Sequence, residues 1–293
     1  MSTKLHISLF NTLTGHTQSV YSICEDGKGG FYSAGADGFI VHWKDINSDN
    51  GELFAQIGEA IFSVFWDNEN EQILAGTKSG DLYILKKGSD PIIKKSHSKG
   101  VFVIKKYGKN FLSGGGDGRL VIWDDFIIPI AQLQVFNKSI RDVFEVDQML
   151  QVFGSTGECA LVNTNKVEKV FKIAENSIFS IYIDQNYIIT AGREALIRIH
   201  NRDYELLESI KAHWFTIHSL AVSPGSELLA SGGMDKRIRI WDFKNFIPLG
   251  SVDPNKDADA HKSSVNKIIW LDSRTLISCS DDAQIKCWKV SNF

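Results

Sequence analysis

No apolar run in the 293 residues approaches the ~18–20 consecutive residues that a membrane-spanning helix needs. Cysteine is scarce. The four present, Cys24, Cys159, Cys279 and Cys287, form no C-x-x-C pair, which leaves zinc-ribbon and dithiol redox chemistry without their spacing. Scattered inside apolar runs, they read as small buried hydrophobes in a reducing compartment, and the localisation expected is cytoplasmic. Proline is also sparse: five residues, dispersed, with no low-complexity linker dividing the chain. Positive charge is not in excess. A formal net charge of −3 argues against a general nucleic-acid binder. The opening MSTKLHISLFNTLTGH has neither a long apolar core nor a small-residue cleavage site, so no secretory signal is expected there. Long amphipathic helix patterns are missing as well.

What the chain does have is short apolar runs of four to seven residues, rich in Ile, Val, Phe and Leu, separated by Gly, Asn, Asp or Ser. That is an all-β pattern. One stretch, SGGGDGRLVIW (113–123), carries enough glycine to suggest a phosphate cradle. No Gly-Lys-Ser/Thr and no helix pattern follow it, however, so P-loop and dinucleotide readings both fail. The stretch recurs instead, as SAGADGFIVHW (33–43), SGGMDKRIRIW (231–241) and SCSDDAQIKCW (278–288). Each copy has Ser ten residues and Asp six residues before Trp, and each is preceded by a His: His16, His97, His213 or His261. Weaker copies end at Leu85, Val162 and His200. The seven end points, 43, 85, 123, 162, 200, 241 and 288, give a period near 40. Four short strands per unit at that period indicate propeller blades.

With Gly-His before the first strand, Asp in a tight turn, and Trp-Asp at 123–124 and 241–242, the repeats resemble those of WD-repeat β-propellers. Trp43-Lys44 and Trp288-Lys289 depart in the last residue only. The resemblance covers residues 5–293 and implies one seven-bladed propeller domain over 1–293, built of four-stranded antiparallel blades. The last repeat stops soon after its Trp strand, so the stretch from His6 to Leu13 is expected to pair with the strand near 287–290 and close the ring. The glycines of the opening stretch then belong to a b–c turn, where positive φ and close packing favour Gly.

The resemblance further implies a hydrogen-bonded His–Ser–Asp–Trp chain in each strong blade: His16–Ser33–Asp37–Trp43, His97–Ser113–Asp117–Trp123, His213–Ser231–Asp235–Trp241 and His261–Ser278–Asp282–Trp288. Imidazole N–H would donate to Asp, the Ser hydroxyl would pass on to the Trp strand, and the indole N–H would need an acceptor. The acids are thus read as structural rather than as general bases. The other three blades lack the chain. Blade five has Thr190, Glu194 and His200 in its places, and these blades are expected to rely on packing alone, with local opening beginning around 125–200.

Other chemistry is thin. An enzyme of hydrolase or lactonase type using the central channel would want converging metal ligands, but the remaining histidines, His6, His42, His200 and His218, lie in different repeats. No G-x-S-x-G elbow occurs, and no cofactor or metal is implied. DINSDNGE (45–52) alternates acids but places Gly seventh and Gln56 twelfth, against the EF-hand pattern, and reads as a solvated loop. Residues 78–109 hold nine lysines (78, 86, 87, 94, 95, 99, 105, 106 and 109) against Asp81 and Asp90. A solvated rim is the plainer reading, and docking of RNA, an anionic surface or an acidic partner is the alternative.

In WD-repeat proteins the second residue of the inner strand commonly points into a top-face site. The matching residues are Tyr21, Phe62, Phe102, Arg141, Phe179, His218 and Asn266, four of them aromatic. A second tier precedes the turn Asp: Ala36, Lys78, Gly116, Ser155, Arg193, Met234 and Asp281. Channel plugging is the structural alternative, but aromatics and Arg are the usual interface anchors. The expected function is a non-catalytic scaffold that binds a protein or peptide on the top face, alone or within a larger complex. The insertion DPNKDADA (253–260) opens on the same face.

Overall fold

The computed structural model describes residues 4–292, and every regular element in it is a strand. Seven antiparallel sheets of four strands form a seven-bladed β-propeller. Blade one runs outward through strands a to d: Val20–Glu25, Phe31–Gly35, Phe39–Trp43 and Glu52–Gln56. Blades two to six repeat this order over 61–95, 101–134, 140–172, 178–211 and 217–252. The seventh blade takes Val265–Trp270, Thr275–Ser280 and Gln284–Asn292 from the C-terminal end. Its outer strand is Leu5–Thr14, which pairs antiparallel with Gln284–Asn292 and sets Leu9 opposite Trp288 and Asn11 opposite Cys287, the closure expected from the repeat phase.

Strands a, b and c are covered on both faces by neighbouring blades, so they read as near-continuous apolar runs. The core sits at these seams. Between blades three and four, for example, Leu120, Ile122, Phe136, Ile140 and Val152 form one buried cluster. Outer strands meet solvent and are more polar, as in Leu206–Lys211.

Innermost strands have no backbone ladder across the seam, and serines supply a substitute. Ser22 Oγ accepts from Val64 N, Ser63 Oγ donates to Val101 O, Ser180 Oγ accepts from Leu220 N, and Ser219 Oγ accepts from Ile268 N, at 2.8–3.2 Å. Each buried hydroxyl ties one blade to the next. At the same strand position blades three, four and seven carry Val103, Asp142 and Lys267. Amides of blade four, which has no such inner-strand serine tie on either side, are therefore expected to exchange with deuterium before those of blade six, which has one on each. Equal protection in a native-state hydrogen-exchange time course would refute this.

The end of the ring bearing the d–a connections and b–c turns is the top face. Its turns are tight. Gly118 takes φ 77° in the b–c turn of blade three, where an added Cβ would lie 1.9 Å from the Phe136 carbonyl oxygen.

Candidate functional site

Every a–b strand pair has a register shift at its top end, and it falls at the same place in all seven blades. In blade one Val20 pairs with Gly35 and Ser22 with Ala34, which leaves Tyr21 unpaired. Phe62, Phe102, Arg141, Phe179, His218 and Asn266 are skipped in the same way. A bulge of this kind re-aims one side chain and ends the alternation locally. All seven residues consequently line one central cavity of about 290 Å³.

They form a collar in mutual contact. Tyr21 meets Phe62 edge-on with centroids 5.6 Å apart, and Phe62 stacks on Phe102 at 5.3 Å. The Arg141 guanidinium lies 4.3 Å from the Phe102 ring centre and 4.7 Å from that of Phe179, bridging the two faces. Phe179 then meets His218 at 5.7 Å. Asn266 closes the circle, donating to Val20 O and to Asp281. Gly100 gives Phe62 its room, because a Cβ there would stand 2.7 Å from the ring. Burial lowers Arg141 to about 10, leaving it a cation at neutral pH, and its Nε is buried without a partner. Burial also lowers His218, which favours the neutral imidazole. Deeper in the cavity, Lys105 and Asp142 pair at 2.5 Å, with the ammonium 3.5 Å from the Phe144 ring centre. The collar thus combines π-faces with one desolvated guanidinium, suited to aromatic, apolar or acidic side chains.

The second-tier residues hold the top surface through their backbones. The amides of Ala36, Lys78, Gly116, Ser155, Arg193, Met234 and Asp281 all donate to a d–a loop carbonyl, at 2.8–3.1 Å. Beneath them the four His–Ser–Asp–Trp chains are present. His Nδ1 lies 2.8–3.1 Å from Asp, His Nε2 2.8–2.9 Å from Ser, and Trp Nε1 2.8–2.9 Å from the same Ser. The order of donation differs from the expectation. Ser Oγ is itself the acceptor of the indole N–H, and its own proton goes to imidazole. The Asp also accepts from backbone amides of the d–a loop and the b–c turn, as Asp37 does from Thr17 and Phe39.

A profile for the family described as "WD domain, G-beta repeat" matches residues 7–44, 91–124, 204–242 and 253–289, together about half of the chain. The chain belongs to the WD-repeat family. WD repeat-containing protein 1-A of Xenopus laevis is 23% identical over 95% of this chain and 48% of its own length. Actin-interacting protein 1 of Drosophila melanogaster is 23% identical over 95% and 47%. The chain thus spans about half the length of these curated relatives. The WD40 β-propeller domain of Doa1 superposes with a TM-score of 0.86 at 20% identity, over 97% of each chain, which speaks for the fold alone.

The matched segments fall on the four blades that have complete chains. The other three WD blades do not rely on packing alone, contrary to the expectation from their sequences. In blade two the acid moves to the d–a loop, where Glu59 accepts from Ser79 N and Oγ at 2.9 and 2.7 Å. Blade five keeps its acid: Glu194 accepts from Asn176 N at 2.7 Å and pairs with Arg198. Thr156 donates to Glu158 in blade four. Beneath these turns the buried chain is replaced by apolar sets, Ile57, Ala75 and Leu85 in blade two and Phe136, Val152 and Val162 in blade four. Replacing all partners together leaves no orphaned polar group.

The lysine-rich segment does not make one basic face. Lys78 and Lys99 are on the top face, Lys94 and Lys95 on an outer strand, and Lys86, Lys87 and Lys109 near the opposite end. Lys105 is paired inside the channel, and Lys106 pairs with Glu69 at 2.9 Å. Strand geometry disperses charges that are adjacent in sequence. Among the histidines outside the chains, His42 bonds Asp26 at 2.9 Å and His200 is buried. Asp45 of the DINSDNGE loop accepts from Asn47, forming a turn.

One feature of the top face escaped the sequence reading. Trp214 and Phe215, in the d–a loop entering blade six, are 62% and 57% exposed, and Met234 in the adjacent turn is 53% exposed. They border a cavity of about 410 Å³ that Pro254, Asn255 and Ala258 of the 253–260 insertion wall on the other side. Arg237 holds Trp214 upright, its guanidinium 3.9 Å from the ring centre and 2.9 Å from Asp253. The available signal was Trp-Phe directly after the chain His, where the other strong repeats have Thr17-Gln18, Ser98-Lys99 and Lys262-Ser263.

Proposed function

We propose that this WD-repeat chain is a non-catalytic interaction scaffold whose top face binds a protein or peptide. The observation that carries the reading is the exposure of Trp214, Phe215 and Met234 on the same face to which seven bulges deliver the collar. Large apolar side chains held half out of the surface mark interaction sites, and aromatics with Arg dominate interface energetics. The collar would receive an inserted side chain, while the blade-six patch would bury the flanking segment. Four free cysteines, three of them buried, suit a reducing compartment such as the cytoplasm. A relative named actin-interacting protein makes actin the first partner to try.

The test is a paired pull-down and actin-filament co-sedimentation at moderate salt. Wild type is set beside two folded variants, Trp214→Ala/Phe215→Ala and Tyr21→Ala/Phe62→Ala/Phe102→Ala/Phe179→Ala. A partner held by wild type should be retained at least about tenfold less by either variant, roughly 1.4 kcal/mol. Identical retention by all three would reduce the collar to channel filling and remove the top-face reading.

A further inference from the structure

Opposite the top face, at the seam between blades one and two, a second cavity of about 290 Å³ opens among the a–b and c–d turns. Its wall is aromatic. Tyr32 stacks on His42 with centroids 4.1 Å apart, lies 4.9 Å from Trp66, and meets Phe54 edge-on at 5.5 Å. Leu53 stands at the mouth, 57% exposed. The aromatic wall itself is uncharged, Tyr32 being a neutral phenol, and the nearby Asp26 carboxylate lies behind it, 2.9 Å from His42 Nε2. The indole N–H of Trp66, at this wall, is buried without an acceptor.

The rim is basic in a chain whose net charge is −3. Lys28, Lys44, Lys86 and Lys87 line it against Glu52 and Glu71. Lys44 and Glu52 neutralise one another at 2.7 Å, which leaves Lys28, Lys86 and Lys87 facing Glu71. These lysines come from turns of both blades and so flank the seam from both sides. A mononucleotide would want its cations gathered at one end, around its phosphates. A chain with acids on either side of a bulky residue matches a rim charged on both sides.

We infer that the seam between blades one and two is a docking site for a short acidic peptide segment. In it an aromatic or aliphatic residue enters the Tyr32–Phe54–Trp66 wall and flanking carboxylates meet Lys28, Lys86 and Lys87. The site is separate from the top face and stands or falls independently of it. Lys86 and Lys87 then have a role that the basic run 78–109 as a whole does not.

The experiment is fluorescence anisotropy on the whole chain with a fluorescein-labelled peptide bearing Phe-Leu at its centre and Asp and Glu on both sides. Controls replace the acids by Lys, or Phe-Leu by Gly-Gly. Saturable binding is expected for the acidic Phe-Leu peptide alone, weakening as salt is raised. Lys86→Glu/Lys87→Glu and, separately, Leu53→Asp should each weaken it by about tenfold or more. All these positions are at the surface, so melting should not move. Trp214→Ala/Phe215→Ala should bind as wild type does, which separates this site from the top face. Absence of saturable binding, equal binding of the Lys peptide, indifference to both seam variants, or displacement of the peptide by ADP would each overturn the assignment.

Discussion

Removing residues 1–13 should lower the melting temperature by about 10–20 °C and make the protein prone to association. Leu5–Thr14 is the outer strand of the seventh blade and the link between the two ends of the chain. Leu5 and Leu13 are 6% and 1% exposed, each in a core cluster with residues from the C-terminal end: Leu5 with Trp288 and Val290, Leu13 with Ile285 and Cys287. Burial of two leucines is worth about 1.5–3 kcal/mol each. Loss of the remaining strand contacts brings the total near 5 kcal/mol, at about 2–4 °C per kcal/mol for a chain of this size. The deletion also bares the edge of Gln284–Asn292, a template for pairing with another molecule. Scanning calorimetry and light scattering on the truncated and intact chains check both parts. An unchanged melt would mean that the blade is stable on three strands.

The second large effect is at Ser231, fully buried in blade six. Its hydroxyl oxygen accepts from Trp241 Nε1 at 2.9 Å and lies 2.8 Å from His213 Nε2. Ser231→Ala leaves both groups buried and unpaired, at about 1–3 kcal/mol each. Denaturant unfolding should show a loss of roughly 2–4 kcal/mol, though the only heavy atom removed is one oxygen. Trp241→Phe, which deletes the indole N–H, should then cost less in the Ser231→Ala background than in wild type. Strict additivity in that double-mutant cycle would show that the chain is not a unit.

The same chains set the acid response. Burial alone would raise Asp282, but the His261 N–H and the backbone amides of Lys262 and Gln284 hold it down at about 2. Burial lowers His261 and His97 below the usual imidazole range. In both cases the unfolded chain binds protons that the folded chain does not, so stability falls with falling pH. The decline should begin below ~6.5 with the histidines and continue below ~3.9 toward 2 with Asp282. Asp282→Asn should flatten the lower part of that profile while lowering stability at neutral pH.

Much of the architecture was legible because a repeat states its own period. His, Ser, Asp and Trp at constant offsets fixed the phase of four blades, and the phase then placed Leu85, Val162 and His200 in the other three. With the family resemblance naming the inner-strand position, the phase also located Tyr21, Phe62, Phe102, Arg141, Phe179, His218 and Asn266, one in each blade. The degenerate blades were harder to read. Glu59 and Asn176 stand outside the turn motif, and their partnership with Ser79 and Glu194 appears only when the d–a loop lies beside the b–c turn.

The sequence by itself determined the all-β class and the seven repeats, and the family resemblance carried by those repeats implied the closing strand and the membership of each buried chain. The repeats are legible in local spacing, because each His–Ser–Asp–Trp chain lies within one repeat, whereas the closing strand pairs opposite ends of the sequence, Ser8 with Lys289. The tertiary structure alone decided what surfaces exist between blades. It scattered the nine lysines of 78–109 over both ends, an outer strand and the inner strand of blade three, and it set Lys28 and Lys44 beside Lys86 and Lys87. It also held Trp214 out of the core by placing Arg237, itself paired with Asp253, against the ring. Pairing within a blade is written in a period of two and a repeat near 40, whereas contact across a seam depends on the twist and packing of whole sheets.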